Sequence, residues 1–263
     1  MTSSLVRVDA VRGVATVTLD SPRNRNALSA ALIDELLAAL AAADADAFVR
    51  VIVLSHTGPV FCSGADLKET AAATTDAGPG WQGLPAARLG EVFTAIWESD
   101  KPVVARVGGP ARAGGLGLIA AADLAVCATD ATFAFSEVRL GVIPAVISAT
   151  VLPRLAPRAA AELFLTGEVF DGVRAAAIGL VTAAVPADEL DAAVATYTAA
   201  LVRGAPGALA GTKALLRRAR AGTFAEELRA LTEVSVRFFG SPEGVEGVRA
   251  FREKREPSWI PRA

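Results

Sequence analysis

The sequence contains few of the side chains that bind metals or form cross-links. Its 263 residues include only two cysteines and one histidine. Cys62 and Cys127 form no CxxC pair, so we expect free thiols in a reducing compartment rather than a disulfide. His56 has no second ligand-type residue at a metal-binding spacing. The sequence therefore predicts neither a metal site nor a disulfide framework.

An excess of one charge and a long apolar run are also missing. Lys and Arg number 26, and Asp and Glu number 28, which gives a net charge of −2 and no basic surface for nucleic acid or an anionic membrane. Residues 1–10 lack the charged and then apolar segments of a secretory signal. The most apolar stretch, residues 113–128, is interrupted by Asp123 and is too short to span a bilayer. We expect a cytoplasmic protein with no membrane or nucleic-acid partner.

Hydrophobic residues make up 52% of the chain, and their spacing predicts an α/β fold. Strand patterns lie at 5–10, 13–19, 49–54, 102–107, 123–128, 132–135 and 180–185, and helical patterns lie at 30–43, 65–72, 86–98, 147–153, 157–165, 172–178, 188–203, 207–220, 223–239 and 242–253. The first two strands are predicted to form a hairpin around Arg12 and Gly13, and Ser29 is placed to cap the first helix. Strands and helices do not alternate as in a doubly wound fold. Because the last four predicted elements are all helices, we predict an α/β core at 1–195 and a helical region at 196–263.

One segment between two predicted helices has no periodic pattern. Residues 73–85 are rich in Ala, Thr, Gly and Pro and contain Trp81. Such a composition is typical of a loop. We predict a mobile loop that serves as a lid or as a wall of a ligand pocket.

Two glycine-containing turns each join a predicted strand to a helix. The first lies in residues 61–68, Phe-Cys-Ser-Gly-Ala-Asp-Leu-Lys, and the second in residues 111–117, Ala-Arg-Ala-Gly-Gly-Leu-Gly. Backbone N–H groups at a helix start have no intrahelical acceptor and can point at a negative oxygen. Each turn alone is also what an ordinary strand-to-helix connection looks like. The second lacks the Gly-Lys-Ser/Thr of a P-loop and the spacing of a dinucleotide-binding loop.

A glutamate follows a short apolar strand in residues 133–144. On an apolar wall the pKa of Glu137 would be raised, which would let it transfer protons near neutral pH. The alternative is a surface glutamate paired with Arg139. Together with the two turns, however, Glu137 predicts a catalytic arrangement, because two convergent backbone donors form an oxyanion hole and the carboxylate can move a proton beside it.

The ordered set of motifs resembles the crotonase (enoyl-CoA hydratase/isomerase) superfamily, almost from end to end. The resemblance is carried by residues 22–28, 61–68, 101–123, 133–144, 165–167, 176–181 and 251–255. It implies a crotonase-like spiral of ββα units with a helical C-terminal region that serves oligomerisation, usually in a homotrimer or homohexamer. It also implies an acyl-CoA thioester substrate, so that coenzyme A arrives as part of the substrate and no separate cofactor is needed.

The resemblance also implies roles for individual residues. It assigns the oxyanion hole to the backbone N–H groups of Ala65 and Gly114 and the acid/base role to Glu137. It assigns substrate contacts to Asn26, Ala27, Leu28, Asp66, Leu67, Lys68, Gly117 and Lys254.

The sequence departs from a typical hydratase of this superfamily at one position. Typical hydratases hold one water between two glutamates; Glu137 matches the second, and Gly117 stands in place of the first. The isomerases keep only the equivalent of Glu137, and so do some bacterial hydratases of branched or glutaconyl-type substrates, which residues 136–148 look very like. We therefore predict a hydratase, with a Δ3,Δ2-enoyl-CoA isomerase or a low-activity acyl-CoA-binding protein as alternatives.

Three side chains beside the motifs are interpreted as structural. Arg112 is predicted to be solvated, although it could reach a carboxylate on a dicarboxylic acyl group. Cys62 is predicted to be a packed apolar residue, because nothing near it in sequence would activate the thiol. Asp66 is predicted to offset the dipole of the helix that it begins.

Overall fold

The structure is a computed structural model that describes residues 4–76, 85–219 and 221–260. It confirms the α/β class and the helical C-terminal region. The strands are β1 (Val6–Val11), β2 (Val14–Leu19), β3 (Val51–His56), β4 (Val103–Val107), β5 (Ala111–Arg112), β6 (Leu124–Ala128), β7 (Thr132–Ala134), β8 (Phe170–Asp171) and β9 (Ala183–Val185). The helices are α1 (Ala30–Ala45), α2 (Leu67–Asp76), α3 (Pro85–Glu98), α4 (Gly114–Ala121), α5 (Ala145–Val151), α6 (Pro157–Thr166), α7 (Gly172–Ala177), α8 (Leu190–Val202), α9 (Pro206–Arg217), α10 (Phe224–Phe239) and α11 (Pro242–Glu253).

The larger sheet has six strands in the order β1-β2-β3-β4-β6-β9. The predicted hairpin β1–β2 is antiparallel, and the remaining neighbours pair in parallel. Strand β3 is apolar on both sides because helices cover both faces of the sheet. Ile52 and Leu54 belong to the main core, whereas Val51 and Val53 pack in a second cluster with Leu190 of α8.

Three helices cover the main-core face of this sheet. Ser29 caps α1 as predicted, because its hydroxyl accepts a hydrogen bond from the N–H of Leu32 at 3.2 Å. Leu32 and Leu36 of α1 and Phe93 and Ile96 of α3 are buried in the main core. Helix α4 packs on α3 and α5. The start of α4 is therefore held between the sheet and its neighbouring helices.

The smaller sheet has three strands in the order β5-β7-β8. Strands β5 and β7 are parallel, and β7 and β8 are antiparallel. Strands β5 and β8 are two residues long, which is too short to show a period of two, so the sequence did not predict them. This sheet joins the second glycine turn to the segment that leads to Glu137.

Helix α9 is attached to the core by a buried cation. Lys213 is 5% exposed, its Nζ lies 2.7 Å from the Asp123 carboxylate, and it donates to the carbonyl oxygens of Ile96 and Lys101. Helices α10 and α11 contact each other. Helix α8 continues across residue 195 without a break. The domain boundary at that residue stays a prediction.

Several predicted boundaries were wrong. Helix α2 extends to Asp76 and α3 begins at Pro85, so both ends of the predicted loop 73–85 are helical, and the rest of it, including Trp81, lies outside the described residues. Strand β9 begins at Ala183 instead of residue 180, because the N–H groups of Leu180 and Val181 turn back to bond Ala175 at the end of α7. No helix in the described part of the chain is long and apolar enough to cross a membrane.

Candidate active site

The two glycine-containing turns lie side by side. Cys62 and Ala111 form a parallel bridge, and the N–H of Arg112 donates to the carbonyl oxygen of Cys62 at 3.0 Å. Gly64 has a φ of +90°, and a β-carbon on it would lie 3.5 Å from the backbone nitrogen of Gly114. A glycine is needed here for the positive φ and for the close approach of the two turns.

Each turn carries a backbone N–H that finds no acceptor in the described part of the chain. Ala65 follows Gly64 just before α2, and Gly114 is the first residue of α4. Neither N–H donates to any of the residues that the structure describes. Ala113, immediately before α4, has a φ of +47°. An alanine with a positive φ costs about 1–3 kcal/mol, and such strain is found mostly at functional sites.

The segment with Glu137 is the next neighbour of the second turn. Arg112 pairs with Ala134 in the small sheet, and the N–H of Ala113 donates to the carbonyl oxygen of Ala134 at 3.3 Å. After Phe135 the chain forms a short 3-10 helix, Ser136–Leu140, that contains Glu137. The structure thus places the three predicted motifs next to one another, in the order first turn, second turn, glutamate.

Glu137 is half-buried, and one of its carboxylate oxygens has no partner among residues 4–76, 85–219 and 221–260. Its Oε2 is buried and makes no hydrogen bond within the described residues. Burial raises the pKa of Glu137 above its ordinary value of 4.5, as expected for a carboxylate removed from water. Arg139 pairs with Glu168 and donates to the carbonyl oxygen of Thr166. The alternative of a surface glutamate paired with Arg139 is therefore wrong.

Asn26 fixes the loop that leads into the first turn with its side chain. It is fully buried, and its Nδ2 donates to the carbonyl oxygens of Thr57 at 3.0 Å and Val60 at 2.8 Å. Its Oδ1 accepts a hydrogen bond from the N–H of Ser21. The backbone N–H of Asn26 also donates to the carbonyl oxygen of Ser21 at 3.0 Å. Because all these partners are protein groups, Asn26 orders the loop, and its own carbonyl oxygen is the group that remains for a substrate.

The neighbouring candidates differ in exposure. Ala27 and Leu28 are buried, and Leu28 binds the first turn by accepting from Asp66 N–H and donating to the carbonyl oxygen of Gly64. Leu67 is exposed, and so is Lys68. Lys254 lies after α11 and is exposed, and no contact joins its side chain to the other candidates in the described residues.

Asp66 is fixed by hydrogen bonds at the start of α2. Its carboxylate accepts from Asn24 Nδ2 at 2.6 Å and from the N–H groups of Lys68 and Glu69. Burial alone would raise the pKa of Asp66, but these hydrogen bonds hold it below the ordinary value. The predicted structural role therefore agrees with the geometry, because the carboxylate satisfies N–H groups at the helix start.

Two other side chains beside the turns are engaged in the protein interior. Cys62 is fully buried and burial raises the pKa of its thiol to about 12, so it remains a protonated, packed side chain. Arg112 is half-buried, and its guanidinium donates to the carbonyl oxygen of Ala111 and to the carbonyl and hydroxyl oxygens of Thr132. The prediction of a solvated Arg112 is wrong, because the guanidinium binds the adjacent strand β7.

An aromatic ring lies against Gly117, the position at which the resemblance leads us to expect the first glutamate of a typical hydratase. A β-carbon built on Gly117 would lie 2.2 Å from Cζ of Phe93. The sequence motifs do not single out Phe93, because it lies outside them in the preceding helix α3. The only signal was the helical spacing of Leu89, Phe93 and Ile96, which places all three on one face of α3.

Known proteins match this chain over nearly its whole length. The sequence model of the enoyl-CoA hydratase/isomerase family matches residues 9–262. A Thermus thermophilus protein, provisionally named an enoyl-CoA hydratase, is 36% identical over 93% of this chain and 96% of its own. The peroxisomal Δ(3,5)-Δ(2,4)-dienoyl-CoA isomerase of Arabidopsis thaliana is 32% identical over 97% of this chain and 96% of its own. The crystal structure of an enoyl-CoA hydratase from Mycobacterium smegmatis superimposes with a TM-score of 0.89 at 34% identity, over 98% of this chain and 99% of that one. The chain therefore belongs to the enoyl-CoA hydratase/isomerase family and has the crotonase fold.

Proposed function

We propose that this protein is an enoyl-CoA hydratase-type lyase, which adds water across the C2–C3 double bond of a 2-enoyl-CoA thioester. Two backbone N–H groups, on Ala65 and Gly114, have no acceptor among the described residues. They lie on adjacent turns next to the segment with Glu137, which has a buried carboxylate oxygen without a partner in the same part of the chain. This combination carries the proposal. An acyl thioester is the matching substrate, because it has an oxygen that becomes negative during the reaction and a neighbouring carbon that exchanges a proton.

In the proposed reaction a single carboxylate acts twice. The Glu137 carboxylate takes a proton from water while the hydroxide oxygen bonds to C3. The electron pair of the C2–C3 bond moves through C1 to the thioester oxygen, which becomes an enolate held by the N–H groups of Ala65 and Gly114. As the enolate collapses, Glu137 returns its proton to C2. The product is a 3-hydroxyacyl-CoA, and the carboxylate is regenerated.

The backbone donors favour the reaction because charge on the thioester oxygen grows toward the enolate. An interaction that strengthens in the transition state lowers the barrier, whereas equal binding of substrate and transition state does not. One oxyanion donor contributes on the order of 3–4 kcal/mol to such reactions. Because these donors are backbone groups on buried turns, they need no reorganisation when the charge develops.

A second candidate function is the isomerisation of a 3-enoyl-CoA to a 2-enoyl-CoA. The Phe93 ring against Gly117 favours it, because this reaction needs one carboxylate and no water. Glu137 would remove a C2 proton to give a dienolate held by the same N–H groups, and would return that proton to C4. The dienoyl-CoA isomerase of Arabidopsis thaliana, 32% identical, also supports the possibility of isomerase chemistry on this fold.

Turnover of a panel of 2-enoyl- and 3-enoyl-CoA thioesters tests the proposal. Wild type is compared with Glu137→Gln, and with Glu189→Gln as a control that neutralises an exposed carboxylate. We expect wild type and the control to form 3-hydroxyacyl-CoA and Glu137→Gln to lose about 100-fold or more, as for the loss of a general acid/base. Formation of the conjugated thioester from 3-enoyl-CoA alone would assign the isomerase. Binding of CoA thioesters without turnover would replace both assignments with an acyl-CoA-binding protein.

A further inference from the structure

Two apolar side chains of α3 lie on two glycines of α4. Leu89 and Phe93 are one turn apart on α3, and Gly114 and Gly117 are nearly one turn apart on α4, so each pair shares a helix face. A β-carbon on Gly114 would lie 3.2 Å from Cδ1 of Leu89. A β-carbon on Gly117 would lie 2.2 Å from Cζ of Phe93 and 2.8 Å from both of its Cε atoms. The α4 face that begins with a candidate oxyanion donor is therefore covered by α3.

The contact at Gly117 excludes any side chain. Two non-bonded carbon atoms approach to about 3.5–4.0 Å, so a β-carbon at 2.2 Å requires the Phe93 ring to move. The ring is 4% exposed, and the hydroxyl of Thr150 donates to the carbonyl oxygen of Gly117 at 3.3 Å, which fixes α4 against α5. A glutamate at position 117 and a phenylalanine at position 93 cannot both be accommodated in this packing.

Phe93 also borders a cavity. A space of about 350 Å³ between α3 and α5 is lined by Phe93, Trp97, Val146 and Thr150, among others. The tip of the ring lies against Gly117 of α4, so Phe93 contacts α4 and also lines this cavity. Helix α5, which supplies part of the lining, follows the segment with Glu137.

We propose that Phe93 is a specificity-determining residue of this site. Its ring occupies the space in which a second carboxylate would project, keeps water from being held there, and limits the site to the chemistry of Glu137 alone. The inference rests on the proposed function, which makes Glu137 the acid/base. It predicts that Phe93 and position 117 are coupled, so that a carboxylate at position 117 acts only when the ring is removed.

A double-mutant cycle of thermal unfolding tests the packing without reference to activity. Gly117→Ala in the wild-type background should lower Tm clearly, because the added carbon meets the ring. The same substitution in a Phe93→Ala background should lower Tm much less or raise it, because the carbon enters the space that the ring left. Val92→Ala, a truncation of another buried residue of α3, is the control and should leave the effect of Gly117→Ala unchanged. Additive effects of Phe93→Ala and Gly117→Ala would overturn the steric part of the proposal.

The ratio of 2-enoyl-CoA hydration to 3-enoyl-CoA isomerisation tests the specificity. It should rise at least about tenfold in Phe93→Ala/Gly117→Glu relative to wild type, as for the gain of a general acid/base. Phe93→Ala/Gly117→Gln, which has the same shape without the charge, should not reproduce this rise, and neither should Gly117→Glu alone.

Each other outcome has a definite meaning. An unchanged ratio in a folded double variant would overturn the specificity proposal, and so would an equal rise in Gly117→Glu alone. If the double variant does not fold, the single variant Phe93→Ala tests the specificity proposal instead. Opening the space to water should by itself raise the ratio of hydration to isomerisation, and an unchanged ratio refutes the proposal. Should neither reaction occur in wild type, the proposed function fails, while the Tm cycle still decides whether Phe93 excludes a side chain at position 117.

Discussion

Replacing Asp123 by asparagine should strongly destabilise the attachment of α9 to the core. One oxygen of Asp123 lies 2.7 Å from Lys213 Nζ and accepts a hydrogen bond from the N–H of Val103, and the other lies 3.0 Å from the guanidinium of Arg217. Lys213 is 5% exposed. Asparagine keeps the shape of the side chain but removes the charge, and its NH2 group turns a donor toward one of the two cations.

The expected magnitude follows from what remains after the substitution. Lys213 keeps two carbonyl acceptors, on Ile96 and Lys101, but loses its buried counter-charge. Breaking a buried ion pair by removing one partner costs about 3–5 kcal/mol. At roughly 2–4 °C per kcal/mol for a chain of this size, Tm should fall by about 6–20 °C.

Calorimetry and urea unfolding at one fixed protein concentration would measure this loss. Arg249→Gln is the control, because it breaks an exposed pair with Glu253 and should cost at most about 0.5 kcal/mol. Asp123→Asn/Lys213→Met should recover part of the loss, because the unpaired ammonium is gone. A loss below about 1 kcal/mol for Asp123→Asn, or one equal to the control, would refute the reasoning.

Three other predictions follow from single sites. The pKa of Glu137 is raised by burial, and the base form begins the reaction, so kcat/KM should fall as the pH drops through a value above 4.5. The same raised pKa means that ionisation of Glu137 lowers the stability of the fold as the pH rises through that pKa. Glu137→Gln should therefore raise Tm at pH 8 and have no such effect in acid. Asn26→Ala should cost about 3 kcal/mol in urea unfolding, because it leaves three part-buried backbone groups without their partner, at about 1 kcal/mol each. Cys62, buried with a thiol pKa of about 12, should resist iodoacetamide in native protein and react only in urea, as judged by intact mass.

The sequence predicted those features that depend on local chemistry. The hairpin of β1 and β2, the cap at Ser29 and the two strand-to-helix turns each rest on residues within a few positions of one another, and the structure contains all of them. The raised pKa of Glu137 was also predictable, because it follows an apolar strand. Pattern recognition over the whole chain then connected these separate pieces into one site.

Features that depend on distant residues could not be predicted in this way. The guanidinium of Arg112 bonds Thr132 because the two-residue strand β5 pairs with β7, and so short a strand leaves no periodic pattern. Asn26 was expected to meet a substrate, but its side chain bonds Thr57 and Val60, which are far along the sequence. In each case the partner is set by tertiary packing, so only the structure reveals that the side chain is already occupied.

The absence of a second carboxylate is the clearest example of this limit. The sequence shows that Gly117 stands where the resemblance leads us to expect a glutamate, and it does not show what occupies the space beside the glycine. In the structure the space is filled by Phe93, 4% exposed and in contact with the glycine. An empty space in the core beside Gly117 would cost stability, and the Phe93 ring avoids that cost by filling it. The glycine and the phenylalanine therefore depend on each other for close packing. Substituting Gly117 alone therefore cannot convert the site, because the change that makes room for a carboxylate must come from α3.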